Sequence, residues 1–298
     1  MTHPTDRQGA PVTSDLDRPL AGVEIVSIAL NVPGPVAVRR LQDLGASVTT
    51  VLPPAGDPLE QYSPPWFIAL HAGQQVLTLD LKTETGAARM TELLDAADLF
   101  VTSSRPSALR RLGVDFETLS QRHPRLGQID IVGHPGPDAE IAGHDLTYEA
   151  VEGLVRPPGL PTTFVADLSG AERAVSEALV ALRVRDTTGR GCRREVALAQ
   201  TAHDFAAPAR YGLTASTAHL GGGYPAYSLY RAADGWIALA ALEPHFLSRT
   251  LELLDVDGSA ESYAAVFATR AAAEWEAWAT EHDVPLVAVR EPGGVTGP

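Results

Sequence analysis

The stretch "GVEIVSIALNVPGPVAVRRLQDLGASVTTVL", residues 22–52, decides the fold. Its first nine residues are an apolar run of strand length, residues 35–45 have helical periodicity ending at Gly45, and residues 46–52 form a second strand run. Strand runs follow at 75–81, 99–104 and 127–132, with an amphipathic segment at 85–98. Alternating strands and helices imply right-handed crossovers and a parallel sheet. The sequence therefore predicts an α/β fold with a Rossmann-like large domain.

The turn after the first strand argues against a nucleotide cofactor. "NVPGPV", residues 31–36, offers one glycine before its helix, whereas the dinucleotide fingerprint G-x-G-x-x-G requires three. A Rossmann-like sheet alone does not establish function. We therefore expect no NAD site here.

The chain changes character after Thr188. Residues 227–242 resemble two short strands joined by an Ala-Asp-Gly turn, and residues 244–278 are helical in pattern. We predict a disordered tail over 1–18, the Rossmann-like large domain with the catalytic helix starts over 19–205, and a smaller α+β domain with a shortened C-terminus over 206–298.

Composition excludes several classes of partner. The net charge of −14 disfavours nucleic acid and anionic membranes, which both require basic surfaces. No run approaches the roughly 18 apolar residues of a membrane span, and the polar N-terminal segment does not resemble a signal peptide. Cys192 is the single cysteine, so a disulfide within the chain and a cysteine-based zinc site are excluded. We expect a cytoplasmic protein.

Two predicted helix starts carry candidate chemistry. In "HDLTYEAVEGL", residues 144–154, Asp145 is an acceptable N-cap and His144 lies just outside the helix. The predicted core face of this helix consists of Leu146, Ala150, Val151 and Leu154.

The second helix is predicted to begin at Ser169, because Ser169 and Glu172 have the spacing of a capping box. Asp167 would then stand two residues before the helix. The predicted buried stripe of this helix consists of Val175, Leu179, Val180 and Leu182.

His144 and Asp167 are candidate acid/base groups. The positive partial charge of a helix N-terminus disfavours imidazolium and favours carboxylate, so both groups would tend to be bases near neutral pH. Two bases converging on one cleft suit removal of a proton from carbon and its return. The alternative is that both residues are ordinary capping or surface groups.

The chain resembles the alpha-methylacyl-CoA racemases within the family III CoA-transferases (CaiB/BaiF). The segments that carry the resemblance include "RPLAGVEIVSIA", "LTLDLK", "SSRPSALRRLGVDFETL", "AGHDLTY", "VADLSG" and "YPAYSLYRAADGWIALAALEPHF". Each is weak alone, whereas their order together is specific.

The resemblance implies roles for individual residues. His144 and Asp167 take the places of the two acid/base residues on opposite faces of the substrate alpha carbon. Asp145 and Tyr148 match supporting positions, Glu243 matches the residue that orients the histidine, and Arg105 matches an arginine near CoA. It also implies an interlocked homodimer, an acyl-CoA substrate whose CoA arrives with it, and no metal or other cofactor.

Two alternatives remain open at this point. In the transferase branch, an Asp at position 167 attacks the acyl-CoA as a covalent nucleophile. The second alternative is a diverged member that acts on another carrier or without catalysis. It is motivated by "HAGQQ", residues 71–75, where relatives carry a basic CoA-binding stretch, and by "VLPPAGDP", residues 51–58, which lacks the usual Glu and Arg.

Overall fold

The computed structural model describes residues 17–291, in two compact units divided in sequence between Ala206 and Ala207. The predicted tail lies outside the described residues except for its last two positions, as do residues 292–298. Each unit is described by itself below.

The first unit is built on a six-stranded parallel sheet with the strand order β3-β2-β1-β4-β5-β6. This is the order of the doubly wound Rossmann fold, so the predicted fold class is confirmed. The strands are β1 (Glu24–Ser27), β2 (Ser47–Leu52), β3 (Gln75–Thr78), β4 (Leu99–Thr102), β5 (Gly127–Val132) and β6 (Arg193–Ala197).

Helices connect these strands. They are α1 (Pro33–Asp43), α2 (Pro58–Tyr62), α3 (Pro64–His71), α4 (Glu84–Asp95), α5 (Pro106–Leu112), α6 (Phe116–Arg122), α7 (Asp145–Val151), α8 (Val165–Thr188) and α9 (Leu198–Phe205). A short 3-10 helix spans Gly136–Glu140.

Apolar cores cover both faces of the sheet. Ile25 packs in a cluster with Leu41 of α1 and the alanines of α8, whereas its neighbour Val26 packs with Met90 of α4 and Phe100 of β4. Successive strand residues point to opposite faces, so each central strand feeds both cores. This explains why these strands have nearly continuous apolar runs.

Strand β6 pairs in parallel with β5 at the edge of the sheet and was not predicted from the sequence. Its segment begins with charged residues, and Arg193 forms an ion pair with the buried Asp130 of β5. An edge strand needs less apolar surface than a central one. A pattern search for apolar runs therefore misses it.

The buried stripe predicted for α8 is confirmed at Leu182, with Val175 partly buried, and is wrong at Leu179 and Val180. Leu179 and Val180 are exposed, and the helix instead buries small residues, of which the central ones are Ala171, Ala174, Ala178 and Ala181. Their spacing of three and four residues follows the helical period. Because alanine side chains are short, they allow α8 to lie close to the sheet.

The second unit contains a three-stranded antiparallel sheet of order β7-β8-β9. The hairpin predicted around residues 232–235 is confirmed, since Tyr227 pairs with Ala240 and Arg231 with Trp236. Its elements are α10 (Ala207–Arg210), a π-helical turn (His219–Gly223), β7 (Tyr227–Arg231), β8 (Trp236–Ala240), α11 (Pro244–Leu254), α12 (Ala260–Phe267), α13 (Ala272–His282) and β9 (Leu286–Ala288).

Candidate active site

A cavity of about 150 Å³, called the site cavity below, opens at the carboxyl ends of β1, β4 and β5. The strand order reverses between β1 and β4, and ligands of open α/β sheets bind at such switch points. Four predicted site residues line this cavity: Arg105, His144, Tyr148 and Asp167. The fold thus brings together residues that are far apart in the sequence.

His144 is the N-cap residue of α7, one position before the helix. Its backbone N–H donates to the Thr147 hydroxyl at 3.1 Å, which fixes the entry of the chain into the helix. The imidazole is exposed at the cavity. Asp145, predicted as the N-cap, is instead the first helical residue. Its carboxyl accepts the Asp167 N–H, whereas the Thr147 hydroxyl makes the hydrogen bonds to the His144 backbone.

Asp167 lies within the first turn of α8, not before the helix as predicted, because α8 begins at Val165. Ser169 is an interior residue whose hydroxyl donates to the Ala166 carbonyl, and Glu172 pairs with Arg40 of α1. The predicted capping box is therefore wrong.

Two carboxylates of α7 cap the start of α8. Phe164, the N-cap residue of α8, supplies no side-chain hydrogen bond. Asp145 Oδ1 accepts the Asp167 N–H at 2.9 Å, and Glu149 Oε1 accepts the Val165 N–H at 2.8 Å. Since both backbone donors are occupied, neither is available to a substrate oxyanion.

The face that α7 buries is the opposite of the one predicted. Asp145 is 6% exposed and Glu149 is 1% exposed, whereas Leu146 is 44% exposed and Val151 is 84% exposed. Burying a charge is costly unless it is paired and hydrogen-bonded. Here the backbone donors of α8 supply those hydrogen bonds.

Burial raises the pKa values of the two aspartates. The pKa of Asp167 rises from 3.8 to about 6, because burial disfavours the charged carboxylate. The charge of His144 opposes this rise in pKa, and the charge of Glu149 adds to it. Asp145 rises to about 7 through burial and a hydrogen bond with the Glu149 side chain. The first turn of α8 therefore does not lower the pKa of Asp167, because burial outweighs the helix-end effect.

Tyr148 forms part of the cavity wall. Its ring meets His134 edge-on, with 5.3 Å between the ring centroids. A Cβ at Gly133 would lie 2.4 Å from the Tyr148 hydroxyl oxygen, and one at Gly143 would lie 2.5 Å from the ring. Both positions must therefore be glycine for the tyrosine to occupy this place. Burial raises the pKa of Tyr148, so its hydroxyl remains a donor at neutral pH.

Glu243 belongs to the second unit, where it is the exposed N-cap residue of α11. The residues of "HAGQQ" make local hydrogen bonds: His71 Nδ1 lies 2.8 Å from the Phe67 carbonyl oxygen, and Gln74 accepts from the Thr50 hydroxyl at 2.7 Å. Both side chains thus take part in hydrogen bonds next to the start of β3.

Three residues around the cavity were missed by sequence reasoning. Besides Glu149, these are Asn31, which has a positive φ of 66°, and the buried Asp57, which accepts the Asn31 N–H at 3.0 Å. A signal was present for Asp57, because it precedes Pro58 as an Asp-Pro helix start.

Within residues 17–291, no cluster of three or more His, Cys, Asp or Glu is arranged to hold a metal, and no helix has the length and hydrophobicity to cross a bilayer.

Comparison with known proteins shows the family. The family model described as CoA-transferase family III matches residues 20–297, so the chain belongs to this family. It is 27% identical over 272 residues to the succinate–glutarate CoA-transferase of Agrobacterium fabrum, covering 82% of this chain and 68% of that protein. It is 28% identical over 294 residues to the human alpha-methylacyl-CoA racemase, covering 86% and 74%.

Other relatives are matched over part of their length. The chain is 33% identical over 161 residues to the probable fatty acyl-CoA transferase Rv3272 of Mycobacterium tuberculosis, covering 50% of this chain and 40% of that protein. The crystal structure of Rv3272 superimposes with a TM-score of 0.78 at 24% identity, covering 92% of this chain and 85% of that one. This structural similarity bears on the fold alone. Named relatives thus include both transferases and a racemase.

Proposed function

We propose that the protein is a racemase acting at the alpha carbon of a 2-methylacyl thioester, with acyl-CoA as its substrate. The observation that carries this proposal is that His144 and Asp167, from different helices, line one cavity at the switch point of the sheet. Covalent transfer by Asp167 has no requirement for a histidine at position 144, whereas two-base proton exchange does.

In this mechanism, the Asp167 carboxylate removes the alpha proton from one face of the substrate. The electron pair passes to the thioester oxygen as an enolate, and the His144 imidazolium returns a proton to the opposite face. In the reverse direction the two groups exchange roles, so protons balance. A pKa of about 6 for Asp167 suits this role, because an acid/base group works best near the operating pH.

A CoA thioester would extend into a second cavity of about 400 Å³, which shares Leu30 and Ser104 with the site cavity. Its lining is mainly apolar, and it includes Lys82, the single lysine of the chain. Lys82 makes no ion pair with any residue in the described range 17–291. We assign Lys82 and Arg105 to the CoA phosphates, with CoA as part of the substrate and no metal or other cofactor.

Lys82→Gln should weaken CoA binding by about 10- to 100-fold, the value of one charge-assisted hydrogen bond. Isothermal titration with CoA measures the effect. Arg89→Gln is the matched control, because Arg89 is an exposed cation of the neighbouring α4 that pairs with Glu92. Equal affinity of the Lys82 and Arg89 variants would remove Lys82 from the binding site. Absence of any thioester binding by the parent protein would favour a non-catalytic interaction protein.

The active protein is proposed to be a cytoplasmic homodimer. The outward residues of α7, including Leu146 and Val151, present apolar surface in the single chain, and a second copy would cover such surface. Val151→Asp should then shift the protein toward the monomer in light scattering coupled to size exclusion. A parent protein that is monomeric at every concentration would contradict the dimer.

The second candidate is a CoA-transferase, supported by the names of several relatives. The Asp167 carboxylate would attack the thioester carbonyl, forming a mixed anhydride and releasing CoA thiolate. The thiolate would then attack the anhydride at the Asp167 carbonyl, releasing the first acid and leaving an aspartyl-CoA thioester for transfer to an acceptor acid. His144→Ala separates the candidates, because it should abolish racemisation and spare transfer.

A further inference from the structure

The buried carboxyl pair Asp145 and Glu149 lies one helical turn apart on α7 and faces the start of α8. Each accepts a different backbone N–H of that start, at Asp167 and Val165 respectively. Val165 and Asp167 lie two residues apart in the first turn of α8. The two carboxyl groups therefore bind the backbone of this turn on either side of Ala166.

The hydrogen bonds around this pair can be completed so that every donor is satisfied. The carboxyl of Asp145 hydrogen-bonds the Glu149 side chain, which requires a proton on one of the two groups. With that proton on Asp145, its O–H donates to Glu149, its other oxygen accepts the Asp167 N–H, and the Glu149 carboxylate accepts the Val165 N–H. The single negative charge then lies against a helix N-terminus, where it is favoured.

We propose that Glu149 is a positioning residue, which together with Asp145 clamps the first turn of α8 and so fixes where the Asp167 carboxyl stands in the site cavity. This inference rests on the proposed function for its catalytic consequence, whereas the clamp itself does not depend on it. Glu149 is not among the residues that line the site cavity, so it is proposed to act through the position of Asp167.

Titratable groups lie near Glu149 on its own helix and on the two helices packed against it, α8 and α9. Asp145 lies on its own helix, and Asp167 lies on α8. From α9, His203 pairs with Glu152 of α7. Glu149 therefore adds negative charge beside Asp167 and raises the pKa of that group.

Two variants of the full chain separate clamp from charge. In Glu149→Gln, the amide oxygen can accept both the Val165 N–H and the Asp145 O–H, so the clamp is kept and the charge of Glu149 is lost. In Glu149→Leu, both are lost. Glu172→Gln is the matched control, because Glu172 is an exposed carboxylate of α8 that pairs with Arg40.

The first readout is hydrogen exchange of the amides at Val165 and Asp167, which requires no activity. Protection should be retained in Glu149→Gln and in the control, and lost at Val165 in Glu149→Leu. Equal protection in all variants would overturn the clamp, as would equal loss in the Gln and Leu variants. If the Leu variant does not fold, lost protection in the Gln variant alone still overturns it.

The second readout is the pH profile of alpha-proton exchange. Glu149→Gln should move the acidic limb of kcat/KM down by about one pH unit, the effect of removing one nearby like charge. Glu149→Leu should lower kcat by about 10- to 100-fold with a smaller change in KM, because the base is misplaced. If the acidic limb of the kcat/KM profile does not move in Glu149→Gln and kcat does not change in Glu149→Leu, Glu149 does not position Asp167 for catalysis. If the parent protein is inactive, the proposed function is contradicted. The clamp is then tested by hydrogen exchange of the Val165 and Asp167 amides alone.

Discussion

The two helices that carry the proposed acid/base pair bury opposite kinds of residue. Helix α8 buries a stripe of alanines against the sheet, which is the ordinary way to stabilise a helix. Helix α7 buries two carboxyls and exposes apolar residues, including Leu146 and Val151. Burying these carboxyl groups costs free energy, which their hydrogen bonds to the start of α8 partly offset. The comparison separates a helix that supports the fold from one that serves the site.

The largest effect on stability is expected from the alanine stripe. Ala178→Leu would force a larger side chain between α8 and the sheet, where Ala178 is fully buried. Overpacking of this kind costs about 1–3 kcal/mol. Urea denaturation measures the loss. An unfolding free energy equal to that of the parent protein would show that α8 does not lie as close to the sheet as described.

A smaller effect, of opposite sign, is expected from Asp145→Asn. The asparagine can accept the Asp167 N–H and donate to Glu149, as protonated Asp145 does. Burial raises the pKa of Asp145 from 3.8 to about 7 in the folded protein, so the folded state binds more protons than the unfolded state between these values. The free energy of unfolding of the parent protein should therefore fall as the pH rises from about 4 to 7.

Asparagine does not titrate and removes its share of this pH dependence. At pH 8 the variant should be more stable than the parent protein by about 1–2 kcal/mol, and at pH 4 the two should be similar. Asp167 keeps a raised pKa, so part of the slope remains. Thermal unfolding across this range measures the difference, and a variant less stable than the parent protein at pH 8 would contradict the raised pKa of Asp145.

The smallest effect is expected on the outer face of α8. Leu179→Ala should change the free energy of unfolding by less than about 0.5 kcal/mol, because Leu179 is exposed. It is the matched partner of Ala178→Leu, one residue away on the same helix. A loss above about 1 kcal/mol would place Leu179 in a buried contact and return the stripe to its sequence-based assignment.

Sequence reasoning predicted the sheet better than the site helices. The central strands are buried on both faces, so their apolar runs are strong signals, whereas the edge strand β6 begins with Arg193 and has none. Hydrophobicity is a poor guide to burial in these two helices: the predicted apolar face of α7 is largely exposed, and in α8 Leu179 and Val180 are exposed whereas Leu182 is buried. Asp145, Tyr148 and Glu149 recur at helical spacing and are all buried, a polar periodicity that a search for apolar residues does not detect.

The placement of Asp167 could not be predicted from local signals either. The first turn of α8 is capped by Asp145 and Glu149 of another helix, so the sequence around Val165 carries no capping residue of its own. Because Ser169 is a better local N-cap residue, the predicted start of α8 lies four residues after the observed start at Val165. Capping across helices depends on tertiary packing, which a single window of sequence does not contain.

The most direct test of the central claim follows the alpha proton. A single enantiomer of a 2-methylacyl-CoA is incubated in D₂O with the parent protein, the His144→Ala variant and the Glu172→Gln control, and alpha-deuterium is measured by mass spectrometry. Proton exchange by His144 and Asp167 predicts deuterium incorporation with loss of enantiomeric purity in the parent and control, and none in His144→Ala. Transfer of CoA to an acceptor acid by both the parent and His144→Ala, without deuterium in either, would contradict it.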